Sequence, residues 1–262
     1  MARLLARVYD ALRRYAEKDG RGYPDWAVRY LPVVRRLAGH AHGGTRILEV
    51  GANANGFARF ADAPTVVVDF APDSLREVRQ AQPVTPVRGD AALLPFAPDT
   101  FDLCICMDTF EHLPPHARAA AAQELVRVLR PDGTAVIGFP AGEAAREAEA
   151  RVRAAYRNAT GGTLRWLEEH LEHGLPDADA MARRLEALAG GTHRVRAEGN
   201  AHARMWTWMW EVLMCQWPGR GNVVFQVLLR CATPWLTRMH RPPCYRTLLW
   251  LEPRSTPRNP MN

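Results

Sequence analysis

Lysine is almost absent from this chain, Lys18 being the only one among 34 basic residues in 262. The net charge of +6 is therefore arginine spread along the whole length. It is not the basic face with interleaved aromatics that grips nucleic acid, so a nucleic-acid partner is not expected. Paired cysteines are missing too. The five, at 104, 106, 215, 231 and 244, are an odd number without knuckle spacing. A disulfide framework and a cysteine-held structural zinc are excluded, and a reduced, cytoplasmic setting is the expectation. Long apolar runs are also lacking: none approaches the roughly 18 residues that a membrane span needs. The opening segment has neither the continuous apolar stretch nor the small-residue cleavage site of a secretory leader. Leu4, Leu5, Val8, Ala11 and Leu12 instead form one stripe of an amphipathic helix.

What is present is an ordinary globular composition, 47% hydrophobic and 24% charged, in a chain long enough for one α/β domain with embellishments. Residues 1–40 read as an N-terminal helical cap, broken around Gly20 and Gly22 and ended by "GHAHGG". Strands and helices then alternate over 41–140. "TRILEV", "TVVVDF", the weaker "VTPVRGD" with its internal Pro86, "FDLCICMD" and "TAVIGFP" are the strands. Cys104 and Cys106 alternate within the fourth and share one of its faces as small hydrophobes. Pro72 opens a helix through Arg79, and "PPHARAAAAQELVRVLRPDG" is a helix with Pro114 and Pro115 in its first turn and Gly133 past its end.

From 141 to 253 the pattern turns helical, with segments at 141–158, at "TLRWLEEHLEHG" (N-cap Thr163, Gly174 beyond the end) and at 177–189. "THRVRAEGN" and "CYRTLLWLEP" read as two last strands. The tail, 254–262, is set apart by its prolines. The predicted fold is α/β: a Rossmann-like, seven-stranded, mostly parallel sheet with helices on both faces, N-terminal helices and a late helical insertion.

In open sheets of this kind ligands bind beyond the carboxyl ends of the strands. "ILEVGANANG" places Glu49 at the first such end, with Gly51 letting backbone approach a ligand and Asn53 and Asn55 tolerating left-handed dihedrals. Asp69 ends the second strand, where an acid accepts both hydroxyls of a ribose or serves only as the N-cap of the next helix. Gly89 and Asp90 end the third.

Taken together, "ILEVGANANG", "VVVDF", "GDAALLPFAPDTFDL", "FEHL" and "ELVRVLRPDGTAVIGFP" resemble the class I S-adenosylmethionine-dependent methyltransferases of the small-molecule group, over roughly residues 40–140. The resemblance implies S-adenosyl-L-methionine as cofactor. Glu49, Gly51, Asn53 and Gly56 would line its methionine and ribose part, and Asp69 would hold the ribose hydroxyls with Phe70 against the adenine. Asp90, beside Ala91, would accept from the adenine amino group, and Asp108 would lie near the amino acid moiety. Nicotinamide enzymes share the glycine turn, but their fingerprint asks for a middle glycine where this chain has Asn53. The same departure keeps a second reading open, a cofactor-binding interaction module without catalysis.

The implied reaction moves a methyl group to a small or medium organic acceptor, with a hydroxyl oxygen as the expected target. His112 is the expected base and Glu111 the weaker candidate. His170 and His173 stand three apart on a helix, not at the zinc-helix spacing of four, and read as a solvated face. No metal is expected. The Trp- and Met-rich stretch at 201–240 reads first as core and second as a lid over an apolar acceptor. The remaining readings are a membrane-surface patch over 205–236 serving a lipid-linked or glycan acceptor, and a homo-oligomer interface.

Overall fold

A computed structural model describes residues 2–17, 24–41, 43–51, 56–61, 64–81, 84–216 and 220–254. Asn53, the break around Gly20 and Gly22, the first half of "PGRG" and the tail from 255 lie outside the described residues. Two helices, α1 (Ala2–Glu17) and α2 (Pro24–Leu37), lead into the sheet. The alternating region supplies β1 (Ile47–Val50), α3 (Phe57–Ala61), β2 (Thr65–Asp69), α4 (Pro72–Ala81) and β3 (Val84–Arg88). It continues with β4 (Phe101–Met107), α5 (Pro115–Val128) and β5 (Leu129–Pro140). Then come α6 (Gly142–Thr160), α7 (Arg165–His173), α8 (Ala178–Leu188) and β6 (His193–His202). The chain ends in α9 (Ala203–Glu211), a π-helical turn over Val212–Gln216, α10 (Arg220–Leu236) and β7 (Cys244–Pro253).

The seven strands form one sheet in the order β3-β2-β1-β4-β5-β7-β6, as the α/β expectation required. Pairing is parallel from β3 through β5; β7 runs antiparallel to both β5 and β6. Helices on both faces explain why β1 is buried at every position and β4 at nearly every one. Alternation sorts the side chains. Leu103, Ile105 and Met107 of β4 join Ile47, Val136 and Trp250 under α2, where Tyr30, Val33 and Leu37 face them. Cys104 and Cys106 point the other way, as expected, into the cluster that β1 and β5 share with Ala121, Ala122 and Leu125 of α5 and Met181 and Leu185 of α8.

Two boundaries differ from the sequence reading. The α5 helix stops at Val128, and the chain is already in β5 at Leu129, which is buried and pairs with Phe101. "RPDG" is thus an irregularity in the strand. Gly133 serves close approach there and not helix termination: a Cβ on it would meet Leu129 Cδ1 at 2.8 Å and Asp102 O at 2.9 Å. In α7 the cap position is Leu164, not Thr163, and it makes no side-chain cap. Burial of Leu164 beside Leu167 and Val152 sets that helix start.

Helices α6, α7, α9 and α10 form a third apolar cluster around Trp206 and Tyr245. It stands over the carboxyl edge of the parallel strands and roofs the space where the βα turns meet. Trp206, Met205 and Met209 are core residues of it, as the first reading of the Trp- and Met-rich stretch expected.

Candidate active site

A cavity of about 930 Å³ opens at that edge, at the upper end of the usual range for ligand pockets. Gly51, Asp69, Phe70, Asp90, Ala91 and Asp108 line it, together with Glu111 and His112, so the structure brings together eight of the eleven expected site residues. Gly51 sits at φ +88°, and a Cβ there would meet Thr109 Oγ1 at 2.0 Å. The Thr109 hydroxyl donates to Val50 O, so the turn after β1 is locked against the turn after β4. Glu49 differs from its expected place. It is buried behind the turn, and both its oxygens accept from the Phe57 amide at 2.9 and 3.0 Å, while Gly56 packs against its carboxylate. Burial pushes the Glu49 carboxyl up to about 7, partly countered by the Phe57 amide and the Tyr30 hydroxyl. Asp69 accepts from the Ala71 amide at 2.7 Å, and Asp90 from Ala92 at 2.8 Å, which fixes both carboxylates at their strand ends. Phe70, 71% exposed, forms part of the rim.

Beyond β4 lies a buried group of two acids and two arginines that the sequence reading did not assemble. Arg246 of β7 donates through Nε to both oxygens of Asp108 at 2.8 Å and through Nη2 to Asp25 at 2.9 Å. Arg29 reaches Asp25 at 2.9 Å and Asp108 at 2.8 Å, and Trp206 Nε1–H donates to Asp25 at 2.9 Å. Burial alone would raise Asp108, but the charges of Arg246 and Arg29 hold it below the usual carboxylate range. The signals for this group were present though faint. Arg246 interrupts an otherwise apolar strand, and Asp25 and Arg29 stand four apart on a mostly apolar helix.

The third element of the site corrects the reading of His170. It is 3% exposed, not solvated, and faces His112 across the cavity with Nε2 atoms 3.4 Å apart. His112 Nδ1–H donates to Glu169 Oε2 at 3.0 Å, and His170 Nδ1–H donates to Glu149 Oε1 at 2.8 Å, which also accepts from Tyr245 Oη at 2.8 Å. The physical reason for the burial is this double anchoring, which leaves neither ring nitrogen without a neighbour. His173, by contrast, is only half-buried. Desolvation, followed by the neighbouring His170, lowers the His112 pKa and keeps that ring neutral at pH 7. Glu111 is fully buried, and burial, then the Asp108 charge, raises its pKa well above the usual range. Only its own amide leans toward it, and among the described residues neither oxygen has a well-formed hydrogen bond. Trp166, Trp206, Trp210 and Tyr245 wall this end, with Trp206 stacked on Tyr245 at 3.7 Å between ring centroids.

The site is therefore a crevice with two unlike ends joined at β4. Acids at successive strand ends and a glycine turn make one end, and an aromatic chamber with two imidazoles and a buried carboxyl makes the other. Comparison with known proteins agrees with that division. The methyltransferase-domain family model matches residues 48–137. An uncharacterised methyltransferase from Mycobacterium avium is 37% identical over 111 residues, which is 39% of this chain and 43% of that protein. The chain spans less than half the length of the curated relatives it matches. Among solved structures, an S-adenosylmethionine-dependent methyltransferase from Thermotoga maritima superposes with a TM-score of 0.54 at 12% identity, covering 94% of this chain and all of that one. The [4+2]-cyclase SpnF superposes with 0.51 at 16% identity, covering 85% and 80%. At such identities the likeness is one of fold, and the fold alone does not select the reaction. The residues present fit the family's cofactor: a strand-end carboxylate for a diol, a second for an exocyclic amine, and backbone brought close by Gly51. Residues 48–137 match the methyltransferase-domain family model, and the domain that they build has the fold of the class I S-adenosylmethionine-dependent methyltransferases.

Proposed function

We propose that the chain moves the methyl group of S-adenosylmethionine onto a hydroxyl oxygen of a small or medium organic acceptor bound in the aromatic chamber. The observation that carries this reading is the continuity of the crevice: the strand-end acids and the aromatic chamber line one cavity. The cofactor supplies an electrophilic methyl on a positively charged sulfur. The protein's own work is to bind, align and exclude water. Asp69 accepts from the ribose hydroxyls, Asp90 from the adenine amino group, and Phe70 and Ala91 flank the base. Gly51 brings backbone to the ligand, and Glu49 and Gly56 shape that turn. Asp108, held by Arg29 and Arg246, stands beside the amino acid part.

On the acceptor side, Trp166, Trp206 and Trp210 displace water from the path of transfer. His112 and Glu111 are the catalytic residues, because their lone pairs face the chamber. They hold the acceptor hydroxyl, and its proton passes to the His112 imidazole as the oxygen takes up the methyl group. Calorimetry with S-adenosylmethionine and its demethylated product should show one site per chain, and turnover on a panel of phenolic, sugar and aliphatic alcohols should follow. Binding without turnover on any acceptor would favour the non-catalytic module. His112→Ala should lower turnover on the order of 100-fold with little change in cofactor affinity. Unchanged turnover would remove His112 from the mechanism.

One observation favours a lipid-linked form of the acceptor. Val224, Leu228 and Trp235 of α10 are exposed, the last two by 57% and 67%, at helical spacing on one side. Among the described residues no helix is long and apolar enough to cross a membrane. This stripe would rest on a surface, burying apolar groups at the interface. Co-sedimentation with anionic liposomes, lost in Leu228→Glu/Trp235→Glu, would support that contact. A dimer in light scattering that the same variant dissolves would instead assign the stripe to self-association.

A further inference from the structure

The facing imidazoles pose a chemical problem. A carboxylate only accepts, so Glu169 and Glu149 each require the proton of their histidine on Nδ1. In the neutral rings both Nε2 atoms then carry lone pairs, and these point at one another across 3.4 Å. Two acceptors gain nothing from such an approach; something electrophilic must lie between them. Beside them is Glu111, fully buried, with both oxygens lacking a well-formed hydrogen bond. Donor atoms of Glu111, His112 and His170 lie within 4.8 Å of one another.

We propose that Glu111, His112 and His170 bind a divalent first-row cation of the zinc class, with its fourth position open to the cavity. The distances support this. Two imidazole nitrogens about 2.05 Å from a tetrahedral zinc ion stand about 3.3 Å apart, close to the separation seen here. The three donor atoms lie within 4.8 Å of one another, wider than a filled tetrahedron's edge of about 3.3 Å, so binding draws the carboxylate inward. Two histidines with one glutamate and one open position form a known donor set for catalytic zinc. The outer partners are also in place, since each histidine gives its other N–H to a carboxylate, the arrangement that fixes the tautomer and raises ligand basicity. The Tyr245 hydroxyl in turn fixes Glu149. The sequence reading expected no metal because His170 and His173 are three apart with no third ligand evident; the proposed set instead joins His170 to Glu111 and His112, which lie far from it in sequence. That the open position takes the acceptor oxygen rests on the methyltransferase reading; the metal site itself rests on the donor geometry alone.

The test uses the full chain without a histidine tag, stripped with a chelator and titrated with Co²⁺, whose visible absorption reports tetrahedral nitrogen and oxygen ligation. One equivalent should bind, and Zn²⁺ should displace it. His170→Ala should abolish the spectrum. Because that residue is buried, His112→Ala, at a half-exposed position, provides the same test in a variant whose folding is checked by circular dichroism. Glu169→Gln, which touches only the outer partner, should weaken binding 10–100-fold, and His173→Ala should leave it unchanged. Absence of a cobalt spectrum in the folded wild type, or a spectrum that survives His112→Ala, would overturn the proposal and leave the pair bridged by a proton. Calorimetry with S-adenosylmethionine is run on the stripped protein. Cofactor binding without cobalt binding defeats the metal site alone; cobalt binding without cofactor binding defeats the methyltransferase reading alone.

Discussion

Asp69 ends β2 and Asp108 follows β4, on either side of β1 in the same sheet, yet their surroundings differ. Asp69 accepts from the Ala71 amide through one oxygen and lines the crevice, where the proposed function gives it the ribose hydroxyls. Asp69→Asn keeps that turn but loses the charge. It should weaken cofactor binding about tenfold, the scale of one charge-assisted hydrogen bond, while leaving the melting temperature nearly unchanged. Asp108 is committed to Arg246 and Arg29 inside the protein. Removing one partner of such a group leaves a buried charge uncompensated. Arg246→Met should therefore cost about 3–5 kcal/mol in urea unfolding, far more than any surface arginine. If urea midpoints move more for Asp69→Asn than for Arg246→Met, this assignment of duties is reversed.

At the scale of elements, α7 shows where sequence reading succeeds and where it stops. Strands β1 to β5 were legible because apolar runs bounded by turn residues permit few alternatives, and the strand-end acids followed from the fold rule. The chamber was not legible. "RWLEEHLEH" carries five charged or ionisable residues in its last six, so pattern alone calls the face wet. What buries His170 is a carboxylate twenty-one residues earlier on α6, and what makes Trp166 a wall is its contact with Trp210 and Trp206. Such pairings depend on how a late insertion folds back over the sheet, which no local periodicity encodes. Because α7 contributes Trp166, Glu169 and His170 to one end of the crevice only, Trp166→Ala should raise KM for the acceptor severalfold and leave cofactor affinity alone. An equal loss of both would mean that α7 holds the whole crevice open and does not merely face the acceptor.

For the molecule as a whole, the buried acid behind the first turn makes stability depend on pH. Glu49 titrates near 7 in the folded chain against an ordinary value of 4.5. Unfolding therefore releases its proton between those values, and stability falls as pH rises from about 4.5 to 7, the reverse of the usual surface carboxylate. At 1.36 kcal/mol per pH unit the full effect is on the order of 3 kcal/mol. The difference in unfolding free energy between wild type and Glu49→Gln should show that slope. A difference independent of pH over the window would mean that the Phe57 amide and Tyr30 hydroxyl keep the carboxyl at its ordinary value.

Asp25 and Arg29 are translated early, whereas Tyr245 and Arg246, which complete the same buried cluster, come some two hundred positions later. A nascent chain emerging from the ribosome can thus pair β1 through β5 long before the chamber has its far wall. Until the last strand pairs beside β5, Asp25 and Asp108 lack one of their two cations, and the crevice lacks its Tyr245 wall. The crevice is therefore complete only once the last strand is in place.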